Sequence, residues 1–145
     1  MSKILHKDIV IDANVMRLYD KPKDPAFVIL FIWLRESGVL TVSQKLVKEY
    51  GDTRNNLIMT LLNELHRHHR LNHVSKSELS AFTADRHFNY MCNSKDVVHA
   101  RTVFLSHRKR CITFDKNLIT DINAFKKIDG RKPCACRNPA TCCLN

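Results

Sequence analysis

No window of the chain approaches the ~18 consecutive apolar residues of a membrane-spanning helix. The N-terminal residues also lack a hydrophobic segment of the signal type before a cleavage site. Both absences predict a cytoplasmic protein with no membrane partner. Internal repeats and low-complexity tracts are missing too, which removes repeat architectures from consideration. Acidic residues are in deficit: 14 Asp and Glu stand against 24 Lys and Arg, a formal net charge of +10. Such an excess favours a polyanion, because lysine and arginine neutralise phosphates and release condensed counterions. Nucleic acid is the first expectation, with an anionic membrane surface behind it.

What is present suffices for an unaided fold. At 145 residues the chain has single-domain length and can bury roughly 70% of the surface that its unfolded form exposes. Its six cysteines are expected mostly as thiols in a reducing compartment. Cys92 and Cys111 lie in the body, and Cys134, Cys136, Cys142 and Cys143 crowd near the C-terminus.

Ile9-Val10-Ile11 is a short continuous apolar run, as in a strand buried on both faces of a parallel sheet, and Asp12 closes it. Lys21-Pro22-Lys23-Asp24-Pro25 then breaks the chain. Residues 26–35 are apolar enough to suit helix or strand, and Asp24 as N-cap with Pro25 at the first helical position decides for a helix. Ser37-Gly38 stops it, residues 39–42 read as a second strand, and Ser43 caps a helix carrying Leu46, Val47 and Glu49. Gly51-Asp52 reads as the end of that helix and the cap of the next, whose Leu57, Ile58, Leu61, Leu62 and Leu65 mark an apolar face. Ser75 or Ser77 begins a short helix, and Asn93-Ser94 begins the one holding Asp96. Residues 111–114 form the last clear strand, closed by Asp115, with a helix through Leu118 and Ile122 beyond. The β-α-β-α order predicts an α/β fold. The texture changes at Asp129-Gly130-Arg131-Lys132-Pro133, which predicts a domain over residues 1–129 and a cysteine-rich tail over 130–145.

Four remote acids, Asp12, Glu49, Asp96 and Asp115, fall where such a sheet delivers side chains to one edge. Asp12 and Asp115 end strands, and open α/β sheets bind ligands at strand carboxyl ends. Taken singly, each aspartate reads more simply as a helix cap, and Glu49 as a solvated helix acid. Only the four together point further. In one pocket they would push some of their pKa values upward by mutual repulsion unless a cation joined them. Carboxylate oxygens are the ligands magnesium prefers. Hydrolysis of a phosphodiester needs a nucleophilic water and relief of charge on the phosphate, and a divalent cation supplies both.

The segments Ile9-Val10-Ile11-Asp12-Ala13-Asn14-Val15, Val42-Ser43-Gln44-Lys45-Leu46-Val47-Lys48-Glu49, and Ser94-Lys95-Asp96-Val97-Val98-His99-Ala100 with Arg110-Cys111-Ile112-Thr113-Phe114-Asp115-Lys116-Asn117-Leu118 resemble the PIN-domain family of small α/β nucleases. The resemblance runs from Lys7 to Ala124. It implies a three-layer α/β/α fold with a central parallel sheet of four or five strands. It implies a magnesium or manganese site made by Asp12, Asp96 and Asp115, with Glu49 binding metal or accepting a proton from water. Asn14 would help to hold the site, and Thr113 would orient a carboxylate through its hydroxyl. The activity implied is a ribonuclease acting on single-stranded or exposed RNA and leaving a 5′ phosphate, either a toxin held by an antitoxin or an enzyme in a processing complex. A homodimer is among the assemblies implied. The sequence departs from the family in two places. Asn117 stands where many members have another acid, which implies one metal rather than two. The family's further strand has no apolar counterpart in residues 125–133, so the sheet is short or that strand is degenerate. Two other functions stay open: a catalytically inactive PIN-like RNA-binding module or scaffold whose acids are caps, and a DNA strand nuclease.

Because an acidic pocket repels its own substrate, Arg67, Arg70, Arg101, Arg108, Lys109 and Arg110 are assigned as a group to RNA backbone contacts. Each alone reads as part of a solvated basic face. His66, His69 and His73 have spacings that suit one helical face and a zinc or nickel ion, against which stands a phosphate-facing helix end. The four C-terminal cysteines suggest zinc, although C-x-C with C-C is a poor match to the usual ligand spacing. The alternative is an oxidation-prone or partner-binding tail.

Overall fold

The computed structural model describes residues 7–141. Its strands are β1 (Asp8–Ile11), β2 (Val39–Ser43), β3 (Leu71–Val74), β4 (Arg110–Ile112) and β5 (Cys134–Cys136). They form one sheet in the order β3-β2-β1-β4-β5, with every pairing parallel. Between them run α1 (Ala13–Met16), α2 (Pro25–Glu36), α3 (Gln44–Asp52), α4 (Asn56–Arg67), α5 (Lys76–Ala81), α6 (Val97–Leu105) and α7 (Lys116–Ala124). The result is the expected α/β/α arrangement with five strands. Ile9, Val10 and Ile11 are at most 1% exposed, as a central strand covered on both faces requires. Among the described residues no helix is long and apolar enough to cross a membrane.

Local chemistry explains most element boundaries. Asp24 accepts from Ala26 N–H and Pro25 opens α2, so the ambiguous apolar run becomes a helix. A Cβ at Gly38 would stand 2.7 Å from the Trp33 ring, so any larger residue in the turn from α2 into β2 requires that ring to shift. Ser43 caps α3 through Leu46 N–H. Ser75 opens α5 with a full capping box to Glu78. The cap of α4 differs from expectation. Asp52 ends α3, but Asn55 accepts from Leu57 and Ile58 N–H and starts α4.

Two strands escape the sequence reading, and both are sheet edges. β3 pairs with β2 and has three of its four residues exposed or half-buried. β5 pairs with β4 through Cys134, Ala135 and Cys136, with only Ala135 buried. The sheet therefore extends past the boundary expected at residue 129 into the segment read as a tail. Asn123 anchors it, donating to Ala135 O at 3.0 Å and accepting from Ala135 N–H at 2.7 Å. A strand after α7 is thus present, beyond residues 125–133.

The sheet order fixes where a ligand site belongs. From β1 the chain moves outward to β2 and β3, then returns to the other side of β1 for β4 and β5. The order reverses at the β1–β4 pair, and ligands of open α/β sheets bind beyond the carboxyl ends at such a switch point.

Candidate functional site

Beyond the carboxyl ends of β1 and β4 lies a cavity of about 520 Å³, lined by Asp12, Asn14, Arg17, Glu49, Asp52, Asp96 and Asp115 among others. The four acids singled out in the sequence thus line one cavity, together with Asp52, but Asp96 and Asp115 are not in the group whose ligand atoms lie within 4.8 Å of one another. Five carboxylates face a single guanidinium, that of Arg17.

Each carboxylate has a distinct setting. Asp12 caps α1 with Oδ1 on Ala13 N–H at 2.8 Å, and its Oδ2 accepts from the Thr113 hydroxyl at 2.6 Å. Thr113 Oγ1 in turn accepts from Asp115 N–H at 3.1 Å, so one buried hydroxyl ties both strand ends together. Asp115 Oδ1 caps α7 through Asn117 and Leu118 N–H, while no described residue donates to its Oδ2. Capping and ligation are compatible here, since an ionised carboxylate offers about four lone-pair sites. Asp96 stands at the start of α6 yet makes no side-chain cap. Asn14 Oδ1 accepts from Phe114 N–H at 3.3 Å and links the β1 turn to the β4 exit. Asn117 is exposed on α7 and contributes its backbone N–H rather than its amide.

Glu49 is held by a residue that the sequence reading left out. His99 Nε2 lies 3.0 and 3.1 Å from the two Glu49 oxygens, and the ring is 4% exposed. An ionised carboxylate only accepts, so the tautomer that satisfies the pair puts the proton on Nε2. Nδ1 is buried with no hydrogen-bond partner among the described residues. Ligand atoms of Asp12, Glu49 and His99 all lie within 4.8 Å of one another. The sequence carried one signal: Asp96 and His99 are three positions apart at the start of α6, a spacing that sets both on one helical side. Tyr50 locks α3 against β1 by donating to Ile11 O, so Glu49 is fixed relative to Asp12.

The field of this cluster reaches its neighbours. Burial first, then Asp12, Cys111 and Glu49, hold the Tyr50 phenol well above its ordinary range. Burial and then Asp12 raise the Cys111 thiol. Burial, contact with Asp121, and the charges of Asp96 and Asp115 push Cys92 up to about 12.

The cations proposed for RNA lie mostly elsewhere. Arg108, Lys109 and Arg110 sit at the amino edge of the sheet, the end of β1 opposite Asp12. There Arg108 Nε donates to Asp8 O, Lys109 Nζ donates to Ser106 O, and Arg110 opens β4. Arg70 donates to the carbonyls of Leu34, Arg35 and Gly38 at 2.5–2.7 Å and closes the carboxyl end of α2. Arg67 pairs with Glu64 at 2.6 Å on the surface. Arg101 pairs with buried Asp85 at 2.7 Å and is the one member of the group beside α3. The histidines do not share a helical face either. α4 ends at Arg67, His69 has φ +58°, and His73 lies in β3.

Cys134 and Cys136 are disulfide-bonded, whereas Cys92 and Cys111 are free and buried. Sulfur in a disulfide is not the thiolate that binds zinc. Cys142 and Cys143 lie outside the described residues.

Comparison with family models, with curated proteins and with solved structures returned no match to this chain.

Proposed function

We propose that this protein is a divalent-cation-dependent phosphodiesterase that hydrolyses single-stranded or exposed RNA. The observation that carries the reading is the convergence of Asp12, Glu49, Asp96 and Asp115 on one cavity at the sheet's switch point. The net charge of +10 supports a nucleic-acid substrate. The motif resemblance to PIN-domain nucleases supports the same chemistry.

The donor set suits magnesium or manganese. Asp12, Asp96 and Asp115 offer hard carboxylate oxygens, while His99 Nε2 is occupied by Glu49. A cation held there supplies charge relief at the scissile phosphate and acidifies a bound water. Within the chain, Thr113 fixes the Asp12 oxygen and His99 fixes Glu49. Glu49 is then positioned to take the proton released by an attacking water. Arg17 is the cation available to the substrate phosphate inside the cleft.

The test uses purified protein, labelled single-stranded RNA, and magnesium or manganese, with Asp12→Asn and Asp115→Asn prepared identically. Wild type is expected to release products with 5′ phosphates, and both variants to fall to background. Equal cutting by all three would expose a contaminant and sink the reading. Binding without cutting by wild type would leave an RNA-binding module, and cleavage confined to single-stranded DNA would change the substrate class.

A further inference from the structure

A second cavity, of about 750 Å³, lies beside the acidic cleft between α3, α5 and α6. That size is typical of sites for small organic ligands. Val47, Leu79 and Val98 give it a half-buried apolar floor. Lys48 and Lys76 stand exposed on its rim, joined by half-buried Lys45 and Arg101. Among the described residues no carboxylate lines it, in contrast to the five in the neighbouring cleft. Ser43, Gln44 and Ser80 add neutral hydrogen-bonding groups.

The two cavities share α3 and the segment that leads into α6. Lys48 and Glu49 are consecutive in α3, one on each cavity. In α6 and the turn before it, Asp96 lines the cleft and Val98 the apolar floor. The His99–Glu49 bond and the Lys45 ammonium on Lys95 O join α3 to the α6 segment between them. The two cavities therefore lie on either side of that joint. The rim also adds cations to the single one of the cleft, Arg17.

We propose that this cavity seats one nucleotide of single-stranded RNA beside the scissile phosphate, with the base on Val47, Leu79 and Val98 and the flanking phosphates on Lys48 and Lys76. The proposal rests on the phosphodiesterase reading for its choice of polyanion. An apolar floor inside a cationic rim matches a nucleotide, whose base is flat and weakly hydrated and whose linkers are charged. A paired base cannot enter, because it is stacked within its helix. The site therefore discriminates single strands from duplexes by access rather than by sequence.

The experiment is equilibrium binding of full-length protein to a short fluorescein-labelled single-stranded RNA in EDTA, over a salt series, with cleavage in manganese assayed separately. Leu79→Trp fills the floor without changing charge, and is expected to weaken binding on the order of tenfold, the loss of one well-seated base. Ser80→Trp, at an exposed lining position, does the same should Leu79→Trp not fold. The double variant K48E/K76E is expected to flatten the slope of log affinity against log salt by about 1.4, from two lost phosphate contacts. Unchanged binding by the tryptophan variants, or equal competition by duplex RNA, overturns the pocket. Cavity-dependent binding without cleavage removes the nuclease reading alone, whereas cleavage with cavity-independent binding removes the pocket alone.

Discussion

His99 and Glu49 meet across 50 residues of sequence, the imidazole Nε2 sitting nearly equidistant from both carboxylate oxygens. A buried ring in α6 thereby sets the orientation of an acid in α3. Removal of such an orienting partner costs on the order of 10- to 100-fold in metal affinity or activity. His99→Ala is accordingly expected to lower RNA cleavage within that range and to raise the manganese concentration needed. His99→Gln, whose side-chain amide can donate in place of Nε2–H, is expected to recover part of both. Metal titrations of cleavage rate for the three proteins check this.

Thr113 is 0% exposed and serves two neighbours at once, donating to Asp12 and accepting from Asp115 N–H. Thr113→Val keeps the shape and removes both bonds. The expected loss of unfolding free energy is about 1–3 kcal/mol, read from urea denaturation, with a drop in cleavage that Thr113→Ser reverses. Full activity in the valine variant would show that Asp12 needs no such partner.

Arg70 is assigned by its three carbonyl contacts to the end of α2 rather than to a substrate. Arg70→Met is expected to cost about 1.5–3 kcal/mol of stability while leaving the salt dependence of RNA binding unchanged. A flattened salt slope would instead return Arg70 to the substrate-binding surface.

Asp85 gives stability an acid limb. Burial alone would raise its carboxyl, but hydrogen bonds from Arg101 and Tyr90 outweigh it, and the folded value lies below the ordinary 3.8. A group depressed in the folded state contributes its stability above the unfolded pKa and loses it as pH falls through the folded one. Denaturation midpoints should therefore fall below about pH 4, and Asp85→Asn should shrink that part of the decline while lowering stability at neutral pH. Parallel acid limbs in the two proteins would assign the decline to other carboxylates.

The parts of the fold legible in the sequence are those whose signal is local. Ile9-Val10-Ile11 announces a covered strand because both of its faces are apolar, and Asp24-Pro25 announces a helix because cap and ring act within one turn. β3 and β5 give no such run: an edge strand has one hydrogen-bonded neighbour, and Asn72 and His73 or two half-buried cysteines suffice there. Asp12, Asp96 and Asp115 stand out along the chain because each closes or opens an element, whereas Glu49 lies inside α3. His99 does not stand out, since its meaning depends on Glu49. The partners of the basic residues are hidden for the same reason. Charge is visible along the chain, whereas the carbonyls that Arg70, Arg108 and Lys109 bond come near only in the tertiary structure.

The seam between β1 and β4 joins Asp12 to Thr113, 101 positions later in the chain. During synthesis Asp12 and Glu49 emerge first, Asp96 later, and Thr113 and Asp115 only in the final third of the 145 residues. The cavity is thus incomplete in a nascent polypeptide until β4 docks and brings Thr113 and Asp115 to Asp12.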